Sequence, residues 1–256
     1  MFIEAGSTLG LFRRRLGPPV LAALLVTLGV ASGPRTSALG RRAEFRFHEG
    51  TATGGDLNGF FWLVTSGARS WGSFGDERRD IGFRTEGSVH RGRLDQKAIY
   101  PPDGRRLGEF HGSRHGNSWS GKWSAVGRRG GWSAATVPED PAAMAALSGI
   151  YLDPSPPQGV ESLRVLVSAA EREVRIEVQR GGRTLFLAGP WIADSRGRAW
   201  FLPLRGNGTL RDLVPFGVNL KGFPIQFPYR LFRSGRLRLF SPLDREERIG
   251  TLLRAV

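Results

Sequence analysis

Cysteine is absent from this chain of 256 residues. Disulfides, thiolate metal sites, cysteine nucleophiles, cysteine-held clusters and a lipidated N-terminal cysteine are therefore excluded. Histidine is scarce: the four are His48, His90, His111 and His115. All precede residue 120, so the second half cannot build a Ser/His/Asp triad by itself. The basic residues are almost all arginine, with Lys97, Lys122 and Lys221 the exceptions. No Gly-x-Ser-x-Gly stands in a strand–elbow–helix setting. "RGGR" and "RGNG" lack the strand-to-helix context of a phosphate loop, and no motif calls for a cofactor. Asp76, Glu77 and Asp80 cluster in "GDERRD" beside two arginines, which reads as a solvated, self-neutralising loop. These absences favour a non-catalytic protein. The alternative they leave open is a hydrolase using carboxylates at a domain interface.

The formal net charge is +14. Residues 1–42 hold six Arg against one Glu, or +5, which leaves +9 for the remainder. That excess is spread evenly along the chain with no dense basic run. It reads as an arginine-rich surface, with an anionic envelope polymer as the partner such a surface would attract. "RSWGSFGDERR" and "RAWFLPLRG" set aromatic beside basic residues as nucleic-acid binding would, but an exported chain meets no genome, so nucleic acid is not the expected partner.

"LFRRRLGPPVLAALLVTLGVASG" has a basic n-region at Arg13–Arg15, an apolar stretch from about Pro18 to Ala31, then small residues. This is the layout of a signal peptide. The apolar run is short of the roughly 20 residues that span a bilayer, so the mature chain is expected to carry no transmembrane span. The expected localisation is periplasmic or secreted, with the mature protein beginning between Ser32 and Arg42.

From Ala43 onward a period of two recurs and helical periodicity is almost missing. In "AEFRFHEG" Phe45 and Phe47 share one face while Glu44, Arg46 and His48 share the other. "EVRIEVQR" sets Val174, Ile176 and Val178 against Arg175, Glu177 and Gln179. Turn signals such as "QRGGR", "DSRGR" and "RSGR" punctuate the runs at the spacing of an antiparallel sandwich or small barrel. "VPEDPAAMAALSG" interrupts the rhythm, with Asp140 as N-cap and Pro141 at the first position of a short helix. The expected fold is all-β, with two consecutive antiparallel β-barrel or β-sandwich domains behind a signal peptide. The divisions are a signal peptide and flexible leader over 1–42, a first β-domain over 43–137, a linker over 138–147 and a second β-domain over 148–256.

Two stretches stand out. "GEFHGSRHGNSWSGKWSAVGRRGGWSAATV" (108–137) reads as a three-stranded meander over roughly 107–112, 118–124 and 131–137. It puts Trp119 and Trp123 on one face with Gly121 between them, so the tryptophans are expected in the core. His111 and His115 would suggest a metal pair on a helix, but they fall on a strand end and a turn. "LVPFGVNLKGFPIQFPYRLF" (213–232) concentrates aromatic residues and prolines and reads as a loop closing one end of the second domain. The expected ligand site lies there, formed by Phe216, Lys221, Phe223, Phe227, Tyr229 and Arg230. The aromatics would border an apolar pocket, and Lys221 and Arg230 would meet an acidic head group at its rim. The ligand expected is an apolar or amphiphilic small molecule.

Overall fold

The computed structural model describes residues 44–55, 57–76, 81–100, 104–156, 159–207, 221–240 and 248–255. The N-terminal leader with its cleavage window, Glu77 and Asp80, and the part of the ligand loop that holds Phe216 lie outside them.

The first unit has eight strands: β1 (Arg46–Gly54), β2 (Leu57–Ser66), β3 (Arg69–Asp76), β4 (Ile81–His90), β5 (Arg93–Ile99), β6 (Arg106–His115), β7 (Ser118–Ala125) and β8 (Arg128–Thr136). Each pairs antiparallel with the next and β8 returns to β1, closing an up-and-down barrel. Its interior alternates glycine with large rings. Gly121 lies opposite Trp132, and Gly130 lies opposite Trp123. Phe61, Phe74, Phe83, Phe110, Trp119, Trp123 and Trp132 fill the centre, none more than 4% exposed. Phe61 stacks on Phe110 at 5.0 Å and Phe74 on Phe83 at 4.8 Å. This barrel is a packed core, and Trp119 and Trp123 belong to it as the alternation predicts.

The helix α1 (Pro141–Leu147) follows. The Asp140 carboxylate accepts from the amides of Ala142 (2.9 Å) and Ala143 (3.1 Å), and Pro141 opens the first turn. Met144 and Leu147 face inward and join the core of the second unit.

That unit comprises β9 (Gly149–Leu152), β10 (Ser162–Ser168), β11 (Glu173–Arg180), β12 (Arg183–Ala193), β13 (Arg198–Phe201), β14 (Arg205–Gly206), β15 (Ile225–Leu231), β16 (Arg236–Phe240) and β17 (Arg248–Arg254). Strand β17 pairs with β9 and β11 pairs with β12, so eight of the strands close a second antiparallel barrel, with the two-residue β14 added to β12. The fold is two consecutive closed eight-stranded barrels. Each barrel encloses a buried apolar cluster. Among the described residues no helix is long and apolar enough to cross a membrane.

One difference from the sequence reading concerns the proline-rich segment. Ile225–Leu231 is a strand of the barrel wall, prolines notwithstanding. Pro228 pairs with Arg198 at the end of the β13–β15 ladder, and the next residue, Tyr229, begins the pairing with β16. A residue without an amide hydrogen is tolerated at such a switch between ladders.

The barrels meet along the outer face of β1–β3. Phe47, Val64, Trp71 and Val137 leave the first barrel's interior to others and join the second barrel's core cluster. Ser73 Oγ donates to the Pro224 carbonyl (2.9 Å), and Arg84 Nη1 donates to the Lys221 carbonyl (2.6 Å).

Candidate ligand site in the second barrel

Strands β10, β11, β12, β13, β15 and β16 turn aliphatic and aromatic side chains inward. Those side chains do not meet at the centre. They leave a cavity of about 70 Å³ bordered by Val165, Ile176, Trp191, Phe227, Leu239 and Tyr229, among others, with Leu147 of α1 contributing to its wall. The wall is hydrocarbon apart from the Trp and Tyr ring heteroatoms. The first barrel's interior is instead filled by seven aromatic rings, two of which, Trp123 and Trp132, lie opposite Gly130 and Gly121.

Phe227 is 4% exposed and forms part of this wall, and Tyr229 two residues later does so half-buried. Phe223 packs half-buried against the same cluster. Lys221 is exposed, and its carbonyl is held by Arg84 of the first barrel. Arg230, also exposed, borders a separate cleft with Arg196, Arg198 and Arg238. Phe216 is outside the described residues. The structure thus brings Phe227 and Tyr229 together at the cavity, with Phe223 nearby in the same cluster. Arg230 and Lys221 face elsewhere.

Burial, then the negative charges of Asp194 and Asp140 and the neighbouring Tyr151, push the Tyr229 hydroxyl up to about 12. It is a neutral group at any physiological pH. Tyr151 is likewise raised by burial, against the opposing effect of Arg254, and its hydroxyl donates to the Leu147 carbonyl (2.9 Å).

Beside the cavity, at the barrel–barrel junction, sits a charge cluster that the sequence reading did not single out. Asp194 accepts from the amides of Arg196 and Arg198 (both 3.0 Å) and from the Arg198 guanidinium at 2.8 and 2.9 Å. The other side of the same guanidinium reaches Glu49 of the first barrel, whose second oxygen accepts from Gln226 (3.1 Å). Burial alone would lower the Arg198 pKa; hydrogen bonding and charge from Asp194 and Glu49 outweigh it and raise it. "DSRGR" was legible as a turn, and Asp194 does cap it. The partnership with Glu49 spans 149 residues and left no local signal.

No protein-family model matches the chain, and no curated protein matches it. Among solved structures it is similar to Aeromonas veronii immune modulator A, at 9% identity over 91% of this chain and 98% of that one, with a TM-score of 0.27. A likeness at that score carries no argument about fold or function.

Among the described residues these places offer an apolar wall and a set of salt bridges. Two carboxylates at the junction, Glu49 and Asp194, are both engaged by Arg198. His111 bridges Glu109 (2.9 Å, through Nε2) and Asp95 (3.3 Å, through Nδ1) on the outside of the first barrel. The acids lie on different edges of the ring, so the three groups do not converge on one point.

Proposed function

We propose that the protein is an exported, non-catalytic binding protein of the cell envelope whose second barrel takes an apolar or amphiphilic ligand. The observation that carries this reading is the contrast between the two interiors. One is filled by stacked rings, whereas the other retains an apolar cavity of about 70 Å³. A void with no polar lining stays dry, and its walls lose contact energy until something apolar fills it. The volume is about half of the roughly 150 Å³ that admits benzene in an engineered apolar cavity. A narrow chain end suits it better than a ring. Export is supported by the basic n-region and short apolar run of the leader.

The test is titration of the mature protein with a fluorescent alkyl probe. About one equivalent should bind, as one cavity requires. Ala199→Leu, placed on the cavity wall, should abolish binding while leaving the melting temperature unchanged or higher, because filling a void adds contacts. A wild type that takes up no probe, or a variant that binds it equally well, would defeat the reading. N-terminal sequencing of exported material should find a first residue between Ser32 and Arg42; intact Met1 would defeat the export claim.

A further inference from the structure

We infer that a cleft on the outer wall of the second barrel binds a phosphate group. The cleft has a volume of about 360 Å³, and Arg196, Arg198, Arg230, Arg238, Tyr229 and Phe240 contribute to its lining. It lies between the β12–β13 turn and strands β15 and β16.

Four guanidinium groups are brought together here at a cost to the fold. Arg230 and Arg238 are direct register partners on adjacent strands, and like charges in that position destabilise a sheet. Arg198 is satisfied, since it takes both Asp194 and Glu49. Arg196, Arg230 and Arg238 have no carboxylate partner among the described residues. The Arg238 Nε is also shut away from water without an acceptor, while the guanidinium lies 4.8 Å over the Phe232 ring. Three arginines without a carboxylate, two of them direct partners across the ladder, leave positive charge for an anion from outside the chain to meet.

The number of free cations selects the anion. A carboxylate has one negative charge and two oxygens, enough for a single arginine fork. A phosphate monoester carries about −1.5 to −2 at neutral pH and offers three acceptor oxygens, so two or three of these arginines can share it. Free phosphate, a soluble phosphomonoester and the head group of a phosphatidate all present this chemistry. The inference does not depend on the apolar cavity, and its test uses no apolar probe to decide whether phosphate binds.

Calorimetric titration of the folded protein with inorganic phosphate in low salt should show saturable binding of about one equivalent, weakening as salt rises. Arg230→Gln together with Arg238→Gln should lower the affinity roughly tenfold or more. Arg183→Gln, in the distant β11–β12 turn, should leave it unchanged. In phosphate-free buffer the double variant should melt at or above the wild-type temperature, since a like-charge pair has been removed, which separates lost binding from lost folding. Should it fail to fold, Arg196→Gln on the exposed turn should weaken phosphate binding at least about threefold. Dihexanoyl phosphatidate binding roughly tenfold more tightly than inorganic phosphate would identify a lipid head group, and equal affinities would identify a free phosphate or monoester. Absence of saturable binding up to roughly 10 mM phosphate, or binding retained in both variants, overturns the assignment.

Discussion

His48 shows how the first barrel handles a polar residue inside an aromatic core. It is 3% exposed. Thr136 Oγ1 donates to the Asn117 carbonyl (2.7 Å), so its lone pair receives the His48 Nδ1 proton (3.1 Å). That assigns Nε2 as acceptor for the Thr65 hydroxyl (3.1 Å). Burial first, then Arg114 and Arg46, lower the pKa from 6.5 to about 4. The unfolded chain therefore binds the extra proton at higher pH than the folded one does. Stability should be complete above about pH 6.5 and fall as pH drops toward 4, by about 3 kcal/mol in all. Chemical denaturation across pH 4–7 should show this slope, and His48→Gln should flatten it; equal slopes in both proteins would refute the assignment. Two neighbouring positions carry predictions of opposite sign. Trp123, 2% exposed with its indole N–H on the Thr53 carbonyl, should cost about 3–5 kcal/mol when cut to Ala. Val126, 42% exposed, holds φ at +54° in the β7–β8 hairpin. A β-branched residue is strained there, so Val126→Asn should raise stability by about 1 kcal/mol, read as an upward shift of the denaturation midpoint.

At the scale of the strand, glycine decides whether the rings fit. A Cβ on Gly121 would stand 1.9 Å from the His111 carbonyl oxygen and 2.5 Å from the Gly112 Cα. Both obstacles are backbone, so β6 would have to move. Gly121→Ala should therefore destabilise the barrel by several kcal/mol despite the small change in volume, with the loss read from thermal unfolding. An unchanged midpoint would mean that the ladder yields easily. The same alternation explains what was legible beforehand. Where apolar and polar residues take turns, as in β7 and β11, the strands and their buried faces could be read directly. The hairpins were announced by Gly116, Gly127 and Gly181–Gly182, all at positive φ. Strand β1 was legible as a strand from the same alternation, but which of its faces is interior was not, because both are used. Phe47 goes to the junction and His48 goes inside. The pattern alone cannot tell an interior from an interface. Strand β15 was hidden for another reason: its prolines argue against a ladder unless the switch at Pro228 is known. The aromatic density that drew attention to Phe227 and Tyr229 does fall on the cavity wall, but most of that wall had no local signature, since the cavity is the space left over when inward-facing side chains from most of the barrel's strands fail to fill the centre.

For the whole molecule, the question is whether two closed barrels unfold as one. The covalent link is short, and α1 within it is anchored by Met144 and Leu147. More telling is the shared core, in which Phe47, Val64 and Trp71 of the first barrel belong to one buried cluster with the apolar residues of the second. Arg198 adds a fastening of a different kind. It is 8% exposed and Asp194 is 2% exposed, so neither charge can turn to water if its partner goes. A well-packed apolar pair of similar volume holds such a junction equally well, but once the charges are buried, removing one strands the others. Arg198→Leu leaves Asp194 and Glu49 without their cation and should cost about 3–5 kcal/mol. Glu49→Gln is milder, because the amide oxygen can still accept from Gln226 and Arg198 retains Asp194; about 1 kcal/mol is expected for the loss of charge assistance. Differential scanning calorimetry distinguishes the roles. The wild type should melt in a single transition, and Arg198→Leu should lower it and split it, the second barrel melting first because Asp194 lies within it. Two transitions in the wild type would show that the barrels fold independently and that the Glu49–Arg198–Asp194 cluster joins them without coupling them.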